Sequence, residues 1–153
     1  MLRIEIEKRA DGTGLLRCQR SDGSLAWQRQ TATSSAHFAL HDLTHYAVET
    51  VLGYEAGFFG LIGNGWEIED TQGKSPRGPL PAEALEVERL VGLFDTERAS
   101  GMTWSAEAFN AFSPRLLTEE QLRCVRECRD ELFRRWSAVG TGDRLVLQFP
   151  QPH

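Results

Sequence analysis

Residues 34–53 read Ser-Ser-Ala-His-Phe-Ala-Leu-His-Asp-Leu-Thr-His-Tyr-Ala-Val-Glu-Thr-Val-Leu-Gly. At about 100° per residue, Leu40, Leu43, Ala47, Val48, Val51 and Leu52 fall on one arc. Asp42, Tyr46, Glu49, Thr50 and Gly53 fall on the opposite one. The pattern predicts a single long amphipathic helix closed by Gly53. His37, His41, His45 and Glu49 recur at i, i+4, so consecutive members stack along one side of it. On this wheel His37 and His41 point partly into the core, His45 lies at its seam and Glu49 on the polar margin. Core-facing imidazoles need a partner, because an unpaired buried polar group costs on the order of 1–3 kcal/mol.

On the N-terminal side, Thr31 to Ser35 supplies hydroxyls suited to cap this helix. Before it, residues 2–30 read as a three-stranded antiparallel meander. Leu2 to Glu7 alternates at period two, Leu15 to Arg20 and Leu25 to Gln30 follow, and turns around Asp11-Gly12 and Asp22-Gly23 join them. The Arg- and Glu-rich outward positions predict one wet face and one face covered by helices.

On the C-terminal side, Gly53 to Trp66 mixes glycines with aromatics. We read it as a short apolar helix or turn that packs Phe58, Phe59 and Trp66 inward. The alternative is a glycine-hinged flap over the histidines. It is not a phosphate loop, having neither the G-x-x-x-x-G-K-[ST] pattern nor a lysine. Residues 71–81, with Gly73, Pro76, Gly78, Pro79 and Pro81, form a loop. Pro81 then suits the first position of a helix running to about Arg98, with Val87, Leu90, Val91 and Phe94 as its core stripe. A shorter helix from Ser105 to Phe112 is expected to bury Phe109 and Phe112. The last helix opens with the capping box Thr118-Glu119-Glu120-Gln121 and ends near Val139. Arg129 falls in the middle of its apolar arc and calls for a carboxylate partner or, less simply, an anionic ligand. Arg144 to Pro150 is a closing strand that can join the N-terminal sheet. The expected fold is therefore α+β: one domain over residues 1–153, a small mostly antiparallel sheet from the two termini packed against about four helices.

The bulk properties agree with a soluble globular chain: 153 residues, 41% hydrophobic, 25% charged. A net charge of −5 gives no reason to expect a nucleic-acid surface. No apolar run approaches the roughly 20 residues of a membrane span, and the charged N-terminus is unlike a signal peptide. Three cysteines, Cys18, Cys124 and Cys128, are too few for a disulfide framework. Together these place the protein in the cytoplasm. Lysine occurs only at Lys8 and Lys74, against many arginines, which suggests a GC-rich bacterial genome.

The histidine ladder points to a divalent metal, zinc being a natural occupant of an H-x-x-x-H pair. His37 and His45 stand about 12 Å apart along the axis at 1.5 Å per residue, so one ion takes two neighbouring rungs. The expected set is His41 and His45, with Glu49 as third ligand or as general base of a hydrolytic step. A ligand from elsewhere would come from Glu55, Glu67, Asp70 or the Cys124/Cys128 pair. Cysteines would close a structural site, whereas a carboxylate and water would leave a catalytic one open. Asp42 is expected at the surface or as a partner of a ligand. His41-Asp42-Leu43-Thr44-His45 resembles the H-E-x-x-H helix of zinc metalloproteases, with aspartate for glutamate. It is also similar to the HDxxH zinc signature of a ubiquinone-biosynthesis family, whose glutamate twelve residues later is replaced here by Gly57. Each likeness covers five of 153 residues. The competing expectation is a non-enzymatic protein whose ladder is structural or sits at a homodimer interface formed by Phe58, Phe59 and Trp66. A small-molecule binder using Arg129 would need no metal.

Overall fold

The computed structural model describes residues 1–11, 13–29, 35–73 and 75–151, with the side chains of residues 29 and 35–38 outside that description. The capping expected of Thr31 to Ser35 and the orientation expected of His37 therefore lie outside the described residues.

Three strands, β1 (Leu2–Lys8), β2 (Gly14–Gln19) and β3 (Leu25–Arg29), form the meander, and β4 (Arg144–Phe149) adds to its free side in the order β3-β2-β1-β4. Every pairing is antiparallel. Ile4 stands opposite both Cys18 and Leu147, so the inward residues of three strands share one face. Leu2, Ile4, Ile6, Leu16, Cys18, Leu145, Leu147 and Phe149 are buried on it, while Arg3, Arg17, Gln19 and Arg144 remain exposed on the other. This is the alternation that period-two patterning dictates when a single face is covered.

The helix α1 (Ser35–Leu52) ends at Gly53, whose φ of 75° is the left-handed stop that glycine accepts without strain. Next come α2 (Phe58–Gly63), a 3-10 turn at Glu69–Gln72, α3 (Ala82–Ser100), α4 (Ala106–Asn110) and α5 (Glu119–Ala138). Pro81 is the residue before α3 rather than its first, with extended backbone at ψ 152°. The capping box of α5 forms in full: the Thr118 hydroxyl accepts from the Gln121 amide while the Gln121 side chain accepts from the Thr118 amide. α1 packs against α5, α3, α2 and β2 at once. From Ala39 to Leu52 no residue of α1 is exposed. Among the described residues no helix is long and apolar enough to cross a membrane.

Two expectations need correction. Phe109 is fully buried against the Phe94 ring at 4.7 Å between centroids, but Phe112 is 70% exposed because α4 stops at Asn110. The helical wheel also assigned α1 a polar outer face, and that face is covered. His45 and Glu49 are 2% and 1% exposed, Asp42 is buried, and His41 is the most exposed of the rungs whose side chains are described. A wheel assumes one buried side, and the described part of α1 has neighbours on more than one.

Arg129 lies beside a group of ion pairs centred on Glu97. Glu97, buried on α3, accepts two hydrogen bonds from Arg126 (3.0 and 2.5 Å) and one from the Trp104 amide, and Arg129 stands 3.9 Å from it. The Arg129 Nε donates to Asp130 at 3.0 Å.

Truncating Phe94 to alanine should cost about 3–5 kcal/mol in denaturant unfolding, and Phe112→Ala less than about 0.5 kcal/mol. Burial pushes the Cys18 thiol well above the ordinary cysteine value. Burial raises the Cys124 and Cys128 thiols too, but these two are only half-buried, so a disulfide reagent at pH 8 should modify them slowly in the native protein and Cys18 only after guanidinium is added.

Candidate metal centre

α1 and α3 run antiparallel along their shared edge, and that direction builds the site. His41 Nδ1 meets Asp95 Oδ2 at 2.7 Å, and one turn further along α1 His45 Nε2 meets Glu88 Oε1 at 3.1 Å. Glu88 and Asp95 are seven residues apart, two turns of α3, so both face α1 from the same stripe. The His41 and His45 rings stand edge to face, 4.9 Å between centroids and 78° between planes. One ligand atom from each of His41, His45 and Glu88 falls within a sphere where all lie within 4.8 Å of one another.

These separations suit a common ion. Two ligand atoms about 2.0–2.2 Å from one metal at tetrahedral or octahedral angles stand roughly 3 Å apart, as His45 Nε2 and Glu88 Oε1 do. With Nδ1 turned to Asp95, Nε2 is the nitrogen His41 would turn toward an ion, and the three groups would have to draw closer than the 4.8 Å that now bounds their separations. Each imidazole thus has a carboxylate on Nδ1, Asp95 for His41 and Glu49 for His45. That pairing fixes ring orientation and raises ligand basicity.

Glu49 occupies a different position from the one its spacing suggested. Its carboxylate is buried behind His45, on the nitrogen away from Glu88. Oε2 contacts His45 Nδ1 at 3.2 Å, and Oε1 accepts the amides of Phe59 at 3.0 Å and Gly60 at 3.3 Å. It is not part of the three-residue group that the fold assembles. Glu49 thereby caps α2 from a distance, since Gly57 at that helix's start has no side chain to do so. At the opposite end of α2, Arg20 donates to the carbonyls of Ile62 and Trp66 at 2.6 and 2.7 Å. An acid at the amide end and a base at the carbonyl end match the helix dipole. This double anchor favours a fixed element over a hinged flap.

The cluster opens on a cavity of about 320 Å³. Phe58, whose ring lies 5.4 Å from that of His45, and Ile68 supply its apolar wall. Gln28, Thr71 and Gln72 supply amide and hydroxyl groups, and Asp42 lines it with Glu88. Burial, the largest influence on His45, pulls its pKa down. The hydrogen bonds and charges of Glu49 and Glu88 outweigh it and push the value up to about 10. Burial likewise acts against ionised Glu88, but His45 holds its carboxyl below the usual range.

The other residues nominated from spacing lie elsewhere. Glu55 is exposed, with its amide on Glu83. Glu67 pairs with Arg20 and Asp70 with Arg77. Cys124 lies beside Glu120 and Arg123 on α5, and Cys128 packs on the core away from the cluster. Phe59 is 1% exposed and so cannot be part of a contact surface in this fold. Glu88 was missed because its sequence signal is weak. It sits among the acids that open α3, and only its seven-residue spacing to Asp95 marks it. Compared with known proteins, the chain matches no family model, no curated protein and no solved structure.

Proposed function

We propose that His41, His45 and Glu88 bind one divalent metal ion and that the protein uses it to hydrolyse a small neutral substrate held in the adjoining cavity. The observation that carries this reading is the pairing of both histidines through Nδ1 with separate carboxylates, which directs a two-histidine, one-carboxylate set at a single point. Three protein ligands leave coordination positions for water and substrate. Zinc suits such a set, and two histidines with one carboxylate also suit ferrous iron. The metal would acidify a bound water. Asp42, in the same cavity wall, is the carboxylate we assign to take its proton, and Glu49 lies behind His45. Phe58 and Ile68 would hold an apolar portion of the substrate, and Gln28, Thr71 and Gln72 its polar groups. Asp42 and Glu88 in the walls disfavour an anion.

A second reading rests on the direct 3.1 Å contact between His45 and Glu88. Here His45 is an imidazolium clamped by Glu49 and Glu88, a structural ion triad that joins α1 to α3 and needs no metal.

Metal analysis separates the two. Untagged protein purified without chelator, or reconstituted with zinc, should hold about one equivalent. The His41→Ala/His45→Ala variant should hold none, and Glu88→Gln should bind more than about tenfold more weakly. Zinc at about a hundred times its Kd should raise the wild-type midpoint by roughly 5–10 °C. Absence of metal after reconstitution, with an unchanged midpoint, would favour the ion triad. For the hydrolytic step, metal-loaded protein should cleave a neutral chromogenic ester, and Asp42→Asn should lower kcat by about 10²- to 10⁴-fold without loss of metal.

A further inference from the structure

Gly57 has an ordinary backbone, with φ −83°, so conformational freedom does not explain a glycine there. Space does. A Cβ at this position would stand 2.5 Å from the Glu49 carboxyl carbon and 2.6 Å from Oε1. Any side chain at 57 must displace the carboxylate, which is buried and bonded to His45 and to the amides of Phe59 and Gly60. Its two oxygens divide the work. Oε1 accepts the shorter bonds from the amides that open α2, while Oε2 meets His45 Nδ1 at 3.2 Å and takes only a longer contact, 3.4 Å, from the Phe59 amide. The glycine thus reaches the metal cluster through one intermediary, and the same intermediary seats the helix that carries Phe58 over the cavity.

We propose that Glu49 is a positioning residue for His45, that the absence of a side chain at Gly57 is what permits it, and that seating of α2 and capture of the metal are therefore coupled. The inference rests on the metal reading above. Glutamine at 49 retains one acceptor oxygen, so it can serve the α2 amides or His45 Nδ1 but not both. Its other atom is a donor, which facing Nδ1 would favour the tautomer that protonates Nε2, the nitrogen needed by the ion. Alanine at 57 leaves the carboxylate's chemistry intact and moves it.

The test is cobalt(II) titration of the full chain, followed by visible absorption, alongside thermal unfolding of the metal-free forms. Wild type should bind one cobalt. Glu49→Gln and Gly57→Ala should each bind about 10- to 100-fold more weakly, the range found when the outer partner of a metal-bound histidine is removed. The double variant should bind no more weakly than Glu49→Gln alone, because both changes act through one contact. Its metal-free midpoint should likewise fall little below that of the less stable single variant, whereas two independent structural effects would add in both readouts. If Glu49→Gln fails to fold, Gly57→Ala decides by itself. Wild type that takes up no cobalt overturns the metal reading and this inference with it. Wild type that binds while both folded variants bind equally well overturns this inference alone.

Discussion

A carboxylate with almost no exposure to water governs how the middle of this chain is arranged. A buried carboxylate is tolerated only where hydrogen bonds replace its hydration. Glu49 obtains these from His45 and from the amides of Phe59 and Gly60. Removing one partner of such a buried arrangement typically costs about 3–5 kcal/mol, a large share of a domain's total stability. The requirement therefore fixes where α2 docks, and α2 in turn fixes Phe58 over the cavity. Arg20 performs the converse task at the other end of the same six-residue helix. So short a helix has little stability of its own, and its position comes from these two charged side chains and from the burial of Phe59, Leu61 and Ile62.

The second constraint is direction. Because α3 returns antiparallel to α1, residues early in one meet residues late in the other: His41 with Asp95, His45 with Glu88, and beyond them Tyr54 with Glu86 at 2.6 Å. Polar contacts thus run along the whole α1–α3 seam, while Val87, Leu90, Val91 and Phe94 bury the apolar side of α3. On the other flank α5 joins the sheet and the helices through Lys8, whose amine donates to the Trp136 carbonyl at 2.7 Å and lies 4.5 Å from that ring's centre. Polar groups edge the α1–α3 seam and apolar ones fill its inner side. That distribution leaves a cluster of ligating groups at the edge of a well-packed core.

Local signals were legible throughout. The Asp-Gly turns and period-two strands define the meander, Gly53 ends α1, and the Thr118 capping box opens α5. The Val87 to Phe94 stripe identifies the buried side of α3. The histidine ladder likewise identified His41 and His45 as candidates, because i, i+4 spacing is a property of the helix alone. Phe112 failed as a core residue because α4 is one turn shorter than its apolar pattern suggested. Glu49 and Asp42 were misplaced on the wheel because their covering elements, α2 and the residues around the 3-10 turn, follow in the chain after a run of glycines whose packing has no periodic signature.

The sequence by itself determined the elements, their order, the inner face of the sheet and the helix that carries the histidines, since each depends on neighbours within a few residues. Tertiary structure decided which carboxylate joins His41 and His45, and which ones stand behind them. Those choices depend on the direction in which α3 returns and on the docking of α2. Both are set by contacts between residues far apart in the chain, where spacing along one helix carries no information. Glu49 follows His45 by one turn of α1 and Glu88 lies on α3; their positions on opposite nitrogens of one imidazole come from the packing of three helices.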